Sequence, residues 1–257
     1  MKKLIFIKLG GSVITDKNVP YKADIKNIKR LAGQLKKSKI GLVLAHGSGS
    51  FGHTSASKYG GKKGYKNTKG IAKVARDAME INRIVMDALI DEGVPAVSFR
   101  PMSLITAKGG IVSNTFFDGV KLAIDQGLVP VFYGDVIWDE KWKSTIYSGE
   151  TILDILFRYL IKNKYKIDTI IEIGKTDGFY DKNLQTIPVI DKKNWPNFKK
   201  FIFKTKEKDV TGGMLHKVDM ALEIARLGVR TIIINGNKKN ELAKVFLGKN
   251  FKGTTIK

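Results

Sequence analysis

The sequence predicts an α/β fold, an open, mostly parallel sheet sandwiched between helices. Three observations predict it. Short apolar runs of strand length alternate with longer segments of helical period along the whole chain. Glycine-rich polar stretches at 10–12, 46–53, 134–135, 174–178 and 235–236 each follow one of those apolar runs. In open α/β sheets ligands bind beyond the carboxyl ends of the strands, where such stretches fall. Finally, 257 residues that are 43% hydrophobic are enough for one such domain, and no internal repeat or low-complexity segment breaks the pattern.

The elements follow in order. Residues 4–9 are a buried-strand pattern that turns out through Gly10-Gly11-Ser12. A polar loop holds Lys17, and Ile25, Ile28, Leu31, Ala32 and Leu35 then repeat at helical spacing. A strand over 40–45 runs into the longest glycine turn, 46–53. Residues 54–68 are small, basic and glycine-rich and read as a mobile loop. A helix spans 71–92 and stops at Gly93, and a strand covers 94–99. Residues 104–106 and 111–113, split by Gly109-Gly110, read as a hairpin. A helix over 116–126 and a strand over 128–133 follow, then a second hairpin from 136–138 and 144–147. Ser148 caps a helix over 152–161, with Glu150 at its positive end. After a strand at 168–173, residues 182–208 read as irregular and lysine-rich. Asp209-Val210-Thr211-Gly212-Gly213-Met214 precedes a helix over 215–227. A strand at 229–234, a short helix at 240–246 and a terminal strand at 253–256 complete the chain.

Composition narrows the function. No apolar run approaches the roughly 18 residues of a membrane-spanning helix. The apolar start after Lys2-Lys3 is broken by Lys8, too early for a signal peptide. Cysteine is absent, which excludes thiolate metal sites and disulfides and fits a cytoplasmic setting. The formal charge is +22, but only seven of the 46 basic residues are Arg, and the lysines form no arm or tail. Nucleic-acid readers lean on Arg for bidentate contacts, so the balance speaks for a lysine-rich surface with an anion pocket in it rather than for a nucleic-acid partner.

The stretch Gly47-Ser48-Gly49-Ser50-Phe51-Gly52-His53 is the strongest local signal. Its glycines let backbone N–H groups approach an anion, at a strand-to-helix turn suited to phosphate. The spacing Gly47-x-Gly49-x-x-Gly52 also fits a dinucleotide fingerprint, but Asp77, the nearest acid about 20 positions on, lies inside a helical pattern. An ordinary turn between strand and helix is the alternative. Lys8, against a double glycine, is a second anion candidate, or else a lysine snorkelling at a strand end. Lys8, Lys17 and Lys217 together aim positive charge at one sheet edge, as phosphoryl transfer requires. No Walker-type Gly-x-x-x-x-Gly-Lys-Ser/Thr is present, which speaks against a P-loop enzyme.

Four stretches in this order, Lys8-Leu9-Gly10-Gly11-Ser12, the glycine turn, Thr176-Asp177-Gly178-Phe179-Tyr180 and Asp209 to Met214, resemble the amino acid kinase superfamily. Phe51-Gly52-His53 and Asp16-Lys17-Asn18-Val19-Pro20-Tyr21 narrow the resemblance to its isopentenyl phosphate kinases. The resemblance implies an amino acid kinase-like αβα sandwich over 1–257, with an acceptor lobe at about 1–147 and a nucleotide lobe at about 148–257. It implies ATP-dependent phosphorylation of isopentenyl phosphate, with Mg²⁺ held mainly through the nucleotide phosphates and a homodimer as the assembly. Lys8 and Lys217 would hold the transferring phosphoryl group, Lys17 assisting and Glu150 organising the lysines. His53 would hydrogen-bond the acceptor phosphate, lined by Ser48, Gly52 and Gly149. Gly10, Gly11, Ser12 and Gly49 would face the ATP phosphates, and Lys175, Asp177, Gly178, Tyr180 and Gly213 would border the nucleotide. Glu150-Thr151 stands where the family usually has two aspartates, Ser48 where it has a middle glycine, and His216 precedes Lys217.

The acceptor chemistry fits the residues. A phosphate monoester is mostly dianionic at neutral pH and is its own nucleophile, so positioning without a general base suffices. Ile81, Ile84, Val85 and Leu89 could wall an apolar tail or simply pack the core. The other readings are a kinase of a different small phosphate or phosphonate such as fosfomycin, an acetylglutamate or glutamate kinase, and a non-catalytic basic relative that senses nucleotide or binds nucleic acid.

Overall fold

The computed structural model describes residues 3–61, 63–65, 67–202 and 208–257. The first part of the chain forms β1 (Lys3–Leu9), α1 (Gly11–Ile14), α2 (Ile25–Leu35), β2 (Gly41–His46), α3 (Gly49–Tyr59), β3 (Gly60–Gly61), β4 (Gly64–Tyr65) and α4 (Thr68–Asp91). Next come β5 (Ala96–Ser98), α5 (Pro101–Leu104), β6 (Ile105–Lys108), β7 (Ile111–Thr115), α6 (Asp118–Asp125), β8 (Val129–Tyr133), β9 (Asp135–Asp139) and β10 (Lys143–Tyr147). The last part forms α7 (Gly149–Lys162), β11 (Lys166–Gly174), β12 (Val189–Ile190), α8 (Trp195–Ile202), α9 (Lys208–Ala225), β13 (Arg230–Asn235), α10 (Glu241–Phe246) and β14 (Gly253–Ile256).

Among the described residues, eight strands form one sheet in the order β12-β14-β13-β11-β1-β2-β8-β5. All its pairings are parallel except β13 with β14. The two expected hairpins join into a second, four-stranded sheet, β10-β9-β6-β7.

Period-two alternation sorts the core. On β1, Ile5, Ile7 and Leu9 face one side, where they pack with Ile28 and Leu31 of α2 and Ile81 and Val85 of α4. Leu4 and Phe6 face the other side, against Ile152, Leu156 and Phe157 of α7. Lys8 continues that second stripe, so the sheet's own period carries it out at the carboxyl edge beside the start of α7. From β1 the chain extends the sheet through β2, and from β11 it extends the other way through β13. The switch point of the topology therefore lies between β1 and β11, where open sheets bind their ligands.

Several elements differ from the sequence expectation. Residues 54–59 continue α3 rather than starting a loop, because the glycine run that ends the helix begins only at Gly60, at φ +96°; Thr54, Ser55 and Ser57 fit within it by turning their hydroxyls to carbonyls three or four residues earlier. Within 182–208, expected to be irregular, β12 pairs with β14 and α8 buries Trp195 in a small core with Phe179 and Val218; residues 203–207 lie outside the described ones. Helix α9 starts at Lys208, so Thr211-Gly212-Gly213 lies inside a helix rather than in a turn before one. A glycine pair weakens a helix by about 1 kcal/mol per residue without forbidding it. The short α5, with Pro101 at its first turn, carries no periodicity long enough to read.

Candidate active site

The site is built where β1, β2 and β11 end. Lys8 Nζ lies 2.7 Å from Glu150 Oε2 and 3.4 Å from Glu172 Oε2. Lys217, from α9, brings its Nζ to 3.7 Å from the same Glu150 oxygen and 3.5 Å from the same Glu172 oxygen. Two lysines from distant parts of the chain thus share two carboxylates. Burial alone would lower the Lys8 pKa, but Glu172 and Glu150 overcome it and hold the ammonium above its usual range. Lys8 is charged at any working pH. Lys8, Lys217 and Glu150 are therefore brought together as expected, and Glu172 joins them unannounced. The available signal was a lone acid within the apolar run Thr169-Ile170-Ile171-Glu172-Ile173.

Around this cluster three turns pack backbone to backbone. A Cβ on Gly11 would stand 2.7 Å from the Gly49 nitrogen, and one on Gly149 would stand 2.5 Å from the His46 carbonyl oxygen. Gly49 itself adopts φ +50°, a left-handed conformation that glycine accepts without strain. Gly11, Ser12, Gly49 and Glu150 occupy first helical turns, where backbone N–H groups have no carbonyl of their own helix to bond. Ser148 caps α7 as expected, its side chain accepting from the Thr151 N–H. Thr15 ties the group together, donating to the Gly11 carbonyl at 2.7 Å and accepting from the Ser50 N–H at 3.0 Å.

The remaining expected residues spread outward. Ser48 is half-buried and Gly52 buried beneath it. His53 is exposed on the second turn of α3. Lys17 and Lys175 are exposed on loops and make no ion pair with a described residue. Asp177 is buried, and its carboxylate accepts from Asn235 at 2.9 Å, Lys238 at 2.5 Å and Lys252 at 3.2 Å. Burial alone would raise its pKa, but those donors hold it below the usual carboxylate range. Asp177 thus pins the β11 loop to β13 and the terminal strand. Tyr180 accepts from the Asp177 N–H, and Gly178 turns with φ +107° over Thr254. Gly213 lies within α9. Ile81, Val85 and Leu89 are core residues, and Ile84 packs on the same cluster, so core packing is their role.

Beneath the glycine turn, His46 is fully enclosed. Its Nδ1 lies 3.0 Å from the Gly47 carbonyl, which can only accept, so Nδ1 carries the proton. Nε2 then accepts from Asn82 at 3.1 Å, and Asn82 accepts from Ser98 at 2.6 Å. Burial pushes the His46 pKa down to about 4. The unfolded chain therefore takes up this proton first as pH falls, so the His46 contribution is complete above about pH 6.5 and is lost toward pH 4. The shift corresponds to roughly 3 kcal/mol. Denaturant unfolding at pH 7.5, 5.5 and 4 is expected to give a steeper loss of stability for the wild type than for His46→Gln. Parallel curves would rule this contribution out.

Two fixed ammoniums beside first-turn amides at the carboxyl edge of an α/β sandwich are the equipment of a phosphotransferase. Residues 3–235 match the model of the amino acid kinase family, and the chain belongs to that family. It is 35% identical to the isopentenyl phosphate kinase of Methanocaldococcus jannaschii over 98% of both chains, and 31% identical to that of Thermoplasma acidophilum over 99% of this chain and 100% of the other. A crystal structure of an isopentenyl phosphate kinase superposes with a TM-score of 0.80 at 29% identity, covering 98% of this chain and 100% of that one. A substrate complex of such an enzyme gives 0.78 at 26% identity over the full length of both. Within the family, the protein groups with the isopentenyl phosphate kinases.

Among the described residues no group of three or more His, Cys, Asp or Glu could hold a metal ion. The two carboxylates of the cluster are committed to lysines. Glu150 and Glu172 are nonetheless oxygen donors of the kind Mg²⁺ takes, here held by the lysines.

Proposed function

We propose that the protein transfers the γ-phosphoryl group of ATP to the phosphate of isopentenyl phosphate, giving isopentenyl diphosphate. The observation that carries this reading is the meeting of the Lys8 and Lys217 ammoniums at the switch point of the sheet, each within 3.7 Å of the same two carboxylates. Two anions must approach each other in this reaction, and a pair of fixed cations beside first-turn amides offsets their repulsion. Lys8 and Lys217 would leave part of their contact with Glu150 and Glu172 to follow the phosphoryl oxygens as charge spreads over them. The acceptor phosphate is already ionised, so no proton need be removed. That suits a site whose two central carboxylates are both ion-paired. Mg²⁺, when bound, would neutralise part of the nucleotide's phosphate charge.

We assign the acceptor phosphate to Ser48, Gly52, His53 and Gly149, and the ATP phosphates to Gly10, Gly11, Ser12 and Gly49, with Lys17, Lys175, Tyr180 and Gly213 toward the periphery. For the apolar tail we choose the other stripe of α4. Ile71, Ala75 and Met79 line a cavity of about 520 Å³ with Met102 and Trp138. Ala56, one turn on from His53, packs against this cluster. A homodimer and a cytoplasmic setting follow from the family resemblance, and light scattering would test the dimer.

The decisive assay couples ADP release to acceptors offered in parallel: isopentenyl phosphate, dimethylallyl phosphate, fosfomycin, glutamate and N-acetylglutamate. Turnover is expected with the first two. His53→Ala is expected to lower kcat/KM for isopentenyl phosphate by about 10- to 100-fold, the worth of a charge-assisted hydrogen bond, with KM for ATP little changed. Undiminished acceptor use would remove His53 from the site. Preferred turnover of an amino acid would overturn the substrate assignment.

A further inference from the structure

Glu172 makes two ion pairs at the heart of the cluster from a position that packing alone would give to an apolar residue. It stands on β11 directly across from Lys8, its parallel-sheet partner in register. Ile170, two residues before it, faces the α7 side with Leu4 and Phe6 of β1. Glu172 and Lys8 are therefore the last members of two adjacent apolar stripes. The Glu172 side chain is 14% exposed. A carboxylate so placed is unfavourable unless it is well paired, whereas a glutamine or methionine of similar volume would fill the same space.

Its pairing is specific in form. One oxygen, Oε2, lies 3.4 Å from Lys8 Nζ and 3.5 Å from Lys217 Nζ, nearly equidistant. Glu150 instead favours Lys8, at 2.7 Å against 3.7 Å for Lys217. Glu150 also rides on the first turn of α7, while Glu172 is fixed in the centre of the sheet. Lys217 comes from α9, and like charges do not gather without a counter-charge between them.

We propose that Glu172 is a positioning residue that sets the spacing of the two ammoniums, holding Lys217 opposite Lys8 so that both can meet one phosphoryl group. Among the described residues it also balances the charge of the cluster, two lysines against two glutamates. This inference rests on the kinase reading above. It adds a second, strand-borne carboxylate to the organising role expected of Glu150 alone.

The two roles move different observables. Glu172→Gln keeps the shape and removes the charge. Turnover is expected to fall at least 10-fold, because Lys217 loses its nearer anchor. ADP, measured by calorimetry, is expected to bind several-fold more tightly, because the cluster gains a net positive charge. A merely structural residue would not tighten anion binding on removal. Glu172→Asp keeps the charge on a shorter stem and should recover part of the turnover and the wild-type ADP affinity. The proposal is overturned if Glu172→Gln turns over within two-fold of the wild type, or if turnover, ADP affinity and melting temperature all fall together. A wild-type protein that binds ADP but phosphorylates none of the acceptors would sink the kinase reading instead, and the ADP arm would still report on the neutralising role of Glu172.

Discussion

Lys8→Met is expected to lower kcat by about 10³-fold while leaving the protein folded. The methionine retains most of the apolar stem that continues the Leu4 and Phe6 stripe, so what is removed is the ammonium. Removing one preorganised donor to developing charge costs about 10²- to 10³-fold in other enzymes, and a full cation at the transferring group belongs at the upper end. Stability should fall as well. Glu150 and Glu172 would then lose Lys8 and keep their pairs with Lys217, at 3.7 and 3.5 Å. Fully buried pairs lose roughly 3–5 kcal/mol when one partner is removed. These side chains are 26% and 14% exposed, so screening reduces the expected loss to about 1–2 kcal/mol. Steady-state ADP release and denaturant unfolding measure the two effects separately. More than a tenth of wild-type turnover in Lys8→Met would mean that the phosphoryl group passes elsewhere.

The parts of this site that were legible in the sequence are those written in local pattern. Lys8 ends an apolar strand, Glu150 follows a capping serine, and the glycines crowd into turns, each marked by its own near neighbours in the chain. The same locality made β1, α2, α4 and both hairpins readable, because period and turn chemistry are local properties. Glu172 was not legible. Its meaning lies in the β1–β11 register, which joins residues far apart in the chain and is set by tertiary packing. Helix α8 escaped for a related reason. Trp195 is buried only because Phe179 and Val218 are folded over it, and nothing nearby in sequence marks it as core. Asp177 carries a second, structural part that its motif did not disclose: its carboxylate accepts from Asn235, Lys238 and Lys252, all from the end of the chain. The glycines also carry a second meaning. They admit anions on one side, but several of them are required by the contact between turns, which spacing alone does not disclose.

That contact supports the other large expected effect. Gly11→Ala should abolish most activity and destabilise the fold, although a single methyl is added and no charged group is touched. The new Cβ would stand 2.7 Å from the Gly49 nitrogen and 2.8 Å from its Cα, both backbone atoms. Neither can rotate aside as the end of a long side chain would. Gly49 cannot retreat freely, since the space beside it is taken by Thr15 and its neighbour Ser50 is bonded to the Thr15 hydroxyl at 3.0 Å. The turns after β1 and β2 must therefore separate. Overpacking of this kind costs about 1–3 kcal/mol. Function should suffer more, because the first-turn amides of both turns would shift relative to Lys8, and a displacement of roughly 1 Å can cost about 10²-fold in rate. Gly119→Ala is the matching control. Gly119 lies exposed in α6, and an added Cβ would meet only the Phe99 ring edge at 3.9 Å. There the alanine should stabilise by about 0.5–1 kcal/mol, as it does within helices generally, with turnover unchanged. Equal melting temperatures and equal rates for the two variants would show that the turns do not depend on their close approach, and the phosphate cradle would have to be sought away from the β1–β2 edge.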